Sequence, residues 1–212
     1  MGSALDIIFS SVAGLALVLN VYFTAALGPA DFSKVKIDGP FKVGVTFTST
    51  SKFKNELSVY YPVDNGDKYE RGMREGRNAL WIRNTEKRLC AMSQFAQDSF
   101  GATLPICLLR PFTLARIDCL EDGQISAKFG SGQVGIRPVV FSHGWTGDNS
   151  QYSGIARDLA SHGYLVVVIN HRDGSCFYTE REDGSPFLYE RGPYHQKELR
   201  VRQTKVRVEE MT

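Results

Sequence analysis

The chain has 212 residues, 42% of them hydrophobic and 23% charged, with a formal charge of +2 and a calculated isoelectric point near 8.3. This is ordinary globular composition, with enough length for one sizeable core. The charge is too mild, and the Lys and Arg too dispersed, for a nucleic-acid footprint, so nucleic acid is excluded as a leading partner.

From Ile7 to Ala30 the chain carries no charge and is dominated by Ile, Phe, Val, Ala and Leu, long enough to cross a hydrocarbon core of ~30 Å. The only charged side chain ahead of it is Asp6, whereas a cleaved signal peptide has a positive leading region, so residues 7–30 are expected to be an uncleaved membrane anchor. A signal peptide with secretion is the alternative. Lys34 and Lys36 just after the run would place the following domain in the cytoplasm if the anchor is retained. Asp6 stands where a myristoylation signal needs Ser or Thr. Residues 1–30 are thus expected as a separate segment ahead of a domain over 31–212.

Phe41, Val43, Val45 and Phe47 alternate with Lys42, Gly44, Thr46 and Thr48, the period-two pattern of a half-buried strand. Leu57, Val59 and Tyr61 repeat the pattern and predict an antiparallel partner for the first run. Helix is expected from about Leu89 to Phe100, and the stretch from Gly101 to Gly135 has no readable pattern. Val139 to Phe141 is a short apolar run ending in Ser142, His143 and Gly144, and a helix is expected from about Asn149 or Ser150. In that helix Tyr152, Ile155, Ala156, Leu159 and Ala160 form one buried face, and Gly163 is placed to end it in a left-handed conformation. Tyr164 to Ile169 is a continuous β-branched run suited to a strand buried on both faces of a parallel sheet. Strand, helix and strand together predict a right-handed crossover and an α/β fold, with ligands beyond the carboxyl ends of the strands. The charged segment Gln196 to Met211 is expected to be a surface helix.

The block FSHGWTGDNSQYSGIARDLASHGYLVVVINHRD, Phe141 to Asp173, resembles the platelet-activating factor acetylhydrolases of the plasma and intracellular type II kind through three islands, FSHG, DLASHGY and HRD. LSVYYPVD from Leu57, ALWIRN from Ala79, FLYERG from Phe187 and the segment Val201 to Val208 follow the family's order, so the resemblance runs from about Val43 to the end. It implies an incomplete α/β-hydrolase fold: antiparallel amino-terminal strands leading into a parallel sheet with crossover helices. It also implies a serine esterase that removes short or oxidised sn-2 acyl groups from phospholipids, working without a cofactor at a membrane or lipoprotein surface. In such enzymes backbone N–H groups stabilise the oxyanion, one of them from an HG loop after a strand. By resemblance that loop is His143 and Gly144, and Trp145 supplies the N–H. The family commonly carries Leu-Gly where this chain has Trp145 and Thr146, which displaces the glycine to Gly147.

No serine here sits in G-x-S-x-G; Ser131 and Ser185 lack the spacing of a nucleophile elbow. The nucleophile and the Asp and His that follow it in this fold are therefore expected outside this chain, which by itself is expected to be inactive. An inactive membrane-anchored fragment and a dienelactone-hydrolase-like esterase are the competing readings. The GxGxxG at Gly130 to Gly135 precedes a strand and is read as a loop. His171, Arg172 and Asp173 are read as a strand end in which Arg172 and Asp173 pair, with His162 and His171 in capping or surface roles. Cys90, Cys107, Cys119 and Cys176 show no zinc-ligand spacing, and no metal is expected; the absence of small-scaffold spacing favours unpaired thiols.

Overall fold

A computed structural model describes residues 35–101, 103–132, 135–181, 183–190 and 196–212. The apolar run 7–30 lies outside the described residues, and none of the described helices is long and apolar enough to cross a membrane. The chain forms two compact units, one containing Leu80–Arg116 and the other containing residues 35–79 and Ile117–Thr212.

The larger unit is organised by a mixed six-stranded sheet of order β3-β4-β1-β2-β6-β5. Its first strands, β1 (Lys42–Ser49) and β2 (Glu56–Val63), form the expected antiparallel hairpin, with Lys42 opposite Val63 and Ser49 opposite Glu56. After α1 (Asp67–Arg74) and β3 (Asn78–Leu80), the strand β4 (Arg116–Glu121) runs parallel to β1. It lies in the stretch without a readable pattern. Ile117 and Cys119 are buried on either side of Asp118, an alternation too short to stand out without the neighbouring strand. Further on, α4 (Ala127–Gly130) is a single turn.

β5 (Arg137–Ser142), α5 (Ser153–Ser161) and β6 (Tyr164–Ile169) form the expected crossover, with β5 and β6 parallel and in register from Arg137–Tyr164 to Ser142–Ile169. β6 also pairs antiparallel with β2, so it is an interior strand, and among the described residues β5 is an edge of the sheet. Tyr60, Val166 and Val168 share one face of the sheet with Val43 and Val45, and α5 covers it through Ala156 and Ala160. On the opposite face Tyr61, Val63, Tyr69 and Leu120 form a second cluster against which Leu165 packs. β6 is accordingly deeply buried on one face and only partly on the other, where Leu165 and Val167 stay half-exposed. Two details of α5 differ from its periodicity: it starts at Ser153, because Asp148 first organises a turn, and Ile155 points to solvent, 53% exposed. Gly163 ends the helix with φ of 96°, as its position implies.

β7 (Tyr178–Glu180) and β8 (Pro186–Leu188) form a small hairpin, and α6 (Lys197–Met211) closes the chain. In the other unit, α2 (Thr85–Phe100) buries Leu89, Ala91 and Ala96, and Ser93 Oγ donates to the Leu104 carbonyl. There α3 (Ile106–Leu109) runs into a 3-10 helix, Arg110–Leu114, in which Phe112 lies 6.0 Å from the ring of Trp81.

Gly44 sits in β1 where an added Cβ would lie 2.7 Å from both Tyr61 Cε2 and Val63 Cγ1. Gly44→Ala is expected to lower stability by about 1–3 kcal/mol through overpacking. Urea unfolding checks this, and an unchanged midpoint would refute the register that puts Tyr61 against Gly44.

Candidate active site

Because β5 and β6 are parallel and end level with one another, the segments that leave them emerge side by side at the carboxyl edge of the sheet, where α/β sheets gather ligands. One of these segments is the turn 143–147 after β5. The other is the loop 170–176 after β6.

The turn is fixed by its own backbone. The carbonyl oxygen of Gly144 accepts from Gly147 N–H at 3.1 Å and from His143 Nδ1 at 2.8 Å. A trans peptide points its carbonyl and the following N–H in opposite directions, so holding the Gly144 carbonyl from two sides also fixes the direction of the Trp145 N–H. Gly144 N–H donates to the Tyr152 hydroxyl at 2.9 Å, and the Tyr152 ring packs 4.8 Å from Phe141 on β5. At Gly147 an added Cβ would meet the Gly144 oxygen and Tyr152 Cε2, both at 3.1 Å, so a side chain there would crowd the turn. Thr146 stands where the resemblance puts glycine, and it adopts the left-handed region with φ of 59°. Its N–H donates to the Ser175 carbonyl at 2.8 Å, which offsets part of that strain. Behind the turn, buried Asp148 accepts from the N–H of Ser150 and Gln151 and from Ser150 Oγ through Oδ1, leading the chain into α5.

His143 is the buried pivot, only 1% exposed. Its Nδ1 donates to Gly144, and its Nε2 accepts the backbone N–H of His171 at 3.1 Å, an arrangement that requires the neutral ring. Burial pushes its pKa down to about 4, with Arg207 and His171 adding to the effect against the raising influence of the Gly144 hydrogen bond and of Asp173. Geometry and electrostatics therefore agree on a neutral ring, and the hydrogen bonds place its proton on Nδ1.

A second layer surrounds the pivot. Burial pushes the Asp173 carboxyl up, but hydrogen bonds from Ser175 and Arg207 outweigh it and hold the carboxyl below its ordinary value. Arg207 Nε meets Asp173 Oδ2 at 2.7 Å, so Asp173 pairs with α6 and not with Arg172 as its position in HRD suggests. Arg172 instead donates its N–H to Glu210 Oε1 at 3.0 Å and its Nη1 to the Phe53 carbonyl at 2.6 Å. Asp173 Oδ1 is taken by Ser175 and its Oδ2 by Arg207, which leaves Arg172 to other acceptors. His171 is fully buried, contrary to a surface role, while His162 is exposed. His171 Nδ1 lies 2.5 Å from Glu210 Oε2 and Nε2 lies 2.8 Å from Ser142 Oγ.

Ser142, His171 and Glu210 thus contact one another in the order of a nucleophile, a base and an acid. Two features make them scaffold. Ser142 Oγ already accepts from Arg207 Nη1 at 3.1 Å, and Ser142 ends a strand where the fold's reacting serine needs a strand-to-helix elbow. His143, Gly144 and Trp145 do come together in one turn. The parts that Ser142, Tyr152, Asp173, Ser175, Arg207 and Glu210 play around this turn were not assigned from the sequence. The one available signal was the spacing of Arg200, Gln203, Arg207 and Glu210, a polar stripe at helical period on α6.

Over residues 30–211 the sequence matches the family described as platelet-activating factor acetylhydrolase, isoform II. It is 54% identical over 154 residues to a platelet-activating factor acetylhydrolase of Canis lupus familiaris, covering 68% of this chain and 29% of that protein. To the corresponding protein of Bos taurus it is 49% identical over 169 residues, covering 73% and 32%. The chain spans about 30% of the length of the curated relatives it matches. A ferulic acid esterase from Streptomyces cinnamoneus aligns over 76% of this chain and 41% of its own with 12% identity and a TM-score of 0.46, a likeness too slight to carry weight.

The turn and its pivot each carry a prediction. Thr146→Gly relieves a β-branched residue of a left-handed backbone and is expected to raise stability by about 1 kcal/mol, measured by denaturant unfolding; a loss would contradict the assigned φ. For the pivot the variable is pH. Unfolded His143 accepts a proton near its ordinary pKa of about 6.5, whereas folded His143 resists until about 4. Its contribution to stability is therefore complete above about pH 6.5 and declines by roughly 3 kcal/mol as pH falls toward about 4, below which both states are protonated. His143→Asn, compared with the parent chain at pH 7.5 and pH 4.5, should show a shallower acid decline by that amount.

Proposed function

The chain belongs to the family of platelet-activating factor acetylhydrolase, isoform II, and from that premise we propose that it forms part of a serine esterase of α/β-hydrolase type that removes short or oxidised sn-2 acyl groups from phospholipids. The observation that carries the reading is the turn 143–147, in which the peptide between Gly144 and Trp145 is clamped through its carbonyl. An ester carbonyl attacked by a serine develops negative charge on oxygen, and a backbone N–H already aimed at that charge stabilises it without reorganisation. Trp145 supplies that N–H, at the carboxyl edge of two parallel strands.

The serine that attacks belongs to a G-x-S-x-G elbow, absent from residues 1–212. The strand leading to it fits beside β5, whose edge is free among the described residues and whose Val140 is 58% exposed. Residues 7–30 supply attachment to the membrane or lipoprotein surface that presents the lipid. The ester bond is cleaved by the serine and water, with no cofactor needed.

The test compares two polypeptides. The 212-residue chain is expected to stay unlabelled by a fluorophosphonate probe, while one that also carries the G-x-S-x-G serine labels and hydrolyses an sn-2 acetyl phospholipid in preference to an sn-2 palmitoyl one. In the latter, Trp145→Pro deletes the N–H and should lower kcat by ~10²–10³-fold, whereas Trp145→Leu keeps it and stays near the parent. Equal turnover of acetyl and palmitoyl substrates, or an undiminished Trp145→Pro variant, would sink the proposal.

A further inference from the structure

We propose that α6 sets the oxyanion turn, with Arg207 and Glu210 acting as positioning residues that aim the Trp145 N–H. The inference rests on the reading of 143–147 as an oxyanion turn and adds to it the device that holds the turn in place.

α6 turns a polar stripe inward: Gln203 and Glu210 are buried, with Arg200 and Arg207 half-buried between and beside them. Apolar Val201 and Val208 on the same helix face solvent. The most buried residues of this helix are polar, while Leu199 and Val206 are only half-buried, so specific bonds orient it and their partners reveal what the helix is for.

Arg207 spreads its planar fork over two separate segments. Nη1 donates to the His143 carbonyl at 2.6 Å and to Ser142 Oγ, while Nε binds Asp173 and Nη2 binds Ser175 Oγ. The Ser175 carbonyl in turn takes the N–H of Thr146. The turn is thereby held at its start by Arg207 directly and further along, at Thr146, through the loop that Arg207 fixes.

Glu210 acts on the pivot from the other side. Its two oxygens take the Arg172 N–H and the His171 ring, which fixes the backbone around His171, and the His171 N–H meets Nε2 of His143. Arg207 thus holds the carbonyl of His143 while Glu210, through His171, holds its ring. That ring orients the Gly144 carbonyl, and the planar peptide converts this into the direction of the Trp145 N–H. Arg200, two helical turns away from Arg207, lies 4.5 Å above the Trp145 ring and keeps that side chain against the helix. Lysine could not replace Arg207, since a single ammonium on a flexible stem does not reach acceptors on both segments in one geometry.

The experiment has two arms, using Arg207→Lys and Glu210→Gln. In the 212-residue chain labelled with ¹⁵N, the Trp145 and Thr146 amide signals should move and Thr146 should lose about tenfold or more of its exchange protection, with the amides of the β1–β2 hairpin unchanged. In a polypeptide that carries the reactive serine, the same substitutions should lower kcat by about 10–100-fold with KM within about twofold, the signature of an interaction used only in the transition state. Retained Thr146 protection, or a kcat at the parental level, would overturn the proposal. So would a fluorophosphonate adduct on Ser142, since that would make Ser142, His171 and Glu210 a reacting set. The amide arm requires no turnover. Absence of esterase activity in every polypeptide tested therefore counts against the functional reading, while Thr146 protection alone decides whether α6 holds the turn.

Discussion

The planarity of one peptide bond governs the candidate site. Between Gly144 and Trp145 the carbonyl and the N–H are parts of a single rigid unit, so a force on one end is a displacement of the other. Around this unit the chain gathers a buried histidine, a neighbouring glycine N–H, a tyrosine hydroxyl and, from α6, an arginine and a glutamate. Each of these bonds alone is worth little in water. Together they constrain the same few atoms, and where they involve the buried His143, His171 and Glu210, leaving one unmade strands a buried polar group without a partner.

Buried charge is the other constraint. Asp173 and Glu210 are carboxylates with almost no exposure, and Arg207 is the cation paired with the first of them. Ion pairs of this kind are a weak source of net stability, because desolvation consumes most of their attraction, but removal of one partner leaves an uncompensated charge. Their presence at the end of two parallel strands is better explained by orientation. The guanidinium fork meets acceptors on both strand ends at once, and such bonds have direction, which apolar packing lacks. His143 fits the same logic: an imidazolium there would break its bond from the His171 N–H, and burial keeps the ring neutral.

The regular elements were legible because their residues alternate or recur at periods set by local geometry. The β1–β2 hairpin follows from Val43, Val45, Val59 and Tyr61 at a period of two. The β5-α5-β6 crossover follows from Ala156 and Ala160 at helical spacing and from the unbroken β-branched run of β6, Tyr164–Ile169. β4 escaped because its short alternation gains stability only from β1 alongside it. Ile155 escaped because a helical stripe identifies a face approximately, and the sheet beneath α5 covers only part of it. Among the candidate site residues, His143, Gly144 and Trp145 were singled out through their resemblance to a known loop.

What the sequence determined by itself is therefore local: two strand pairs, the helix between β5 and β6, the glycine-bearing turn after Ser142 and the family to which the block Phe141 to Asp173 points. Only the tertiary structure decided who holds that turn. Arg207 lies 64 residues from His143 and Glu210 lies 39 from His171, and the polar stripe they share on α6 marks a face without naming its partners. Such pairings arise when parallel strands end level and a helix is laid across their ends. Nothing in the spacing of residues along a chain encodes that meeting, since it depends on where separate segments come to rest in space.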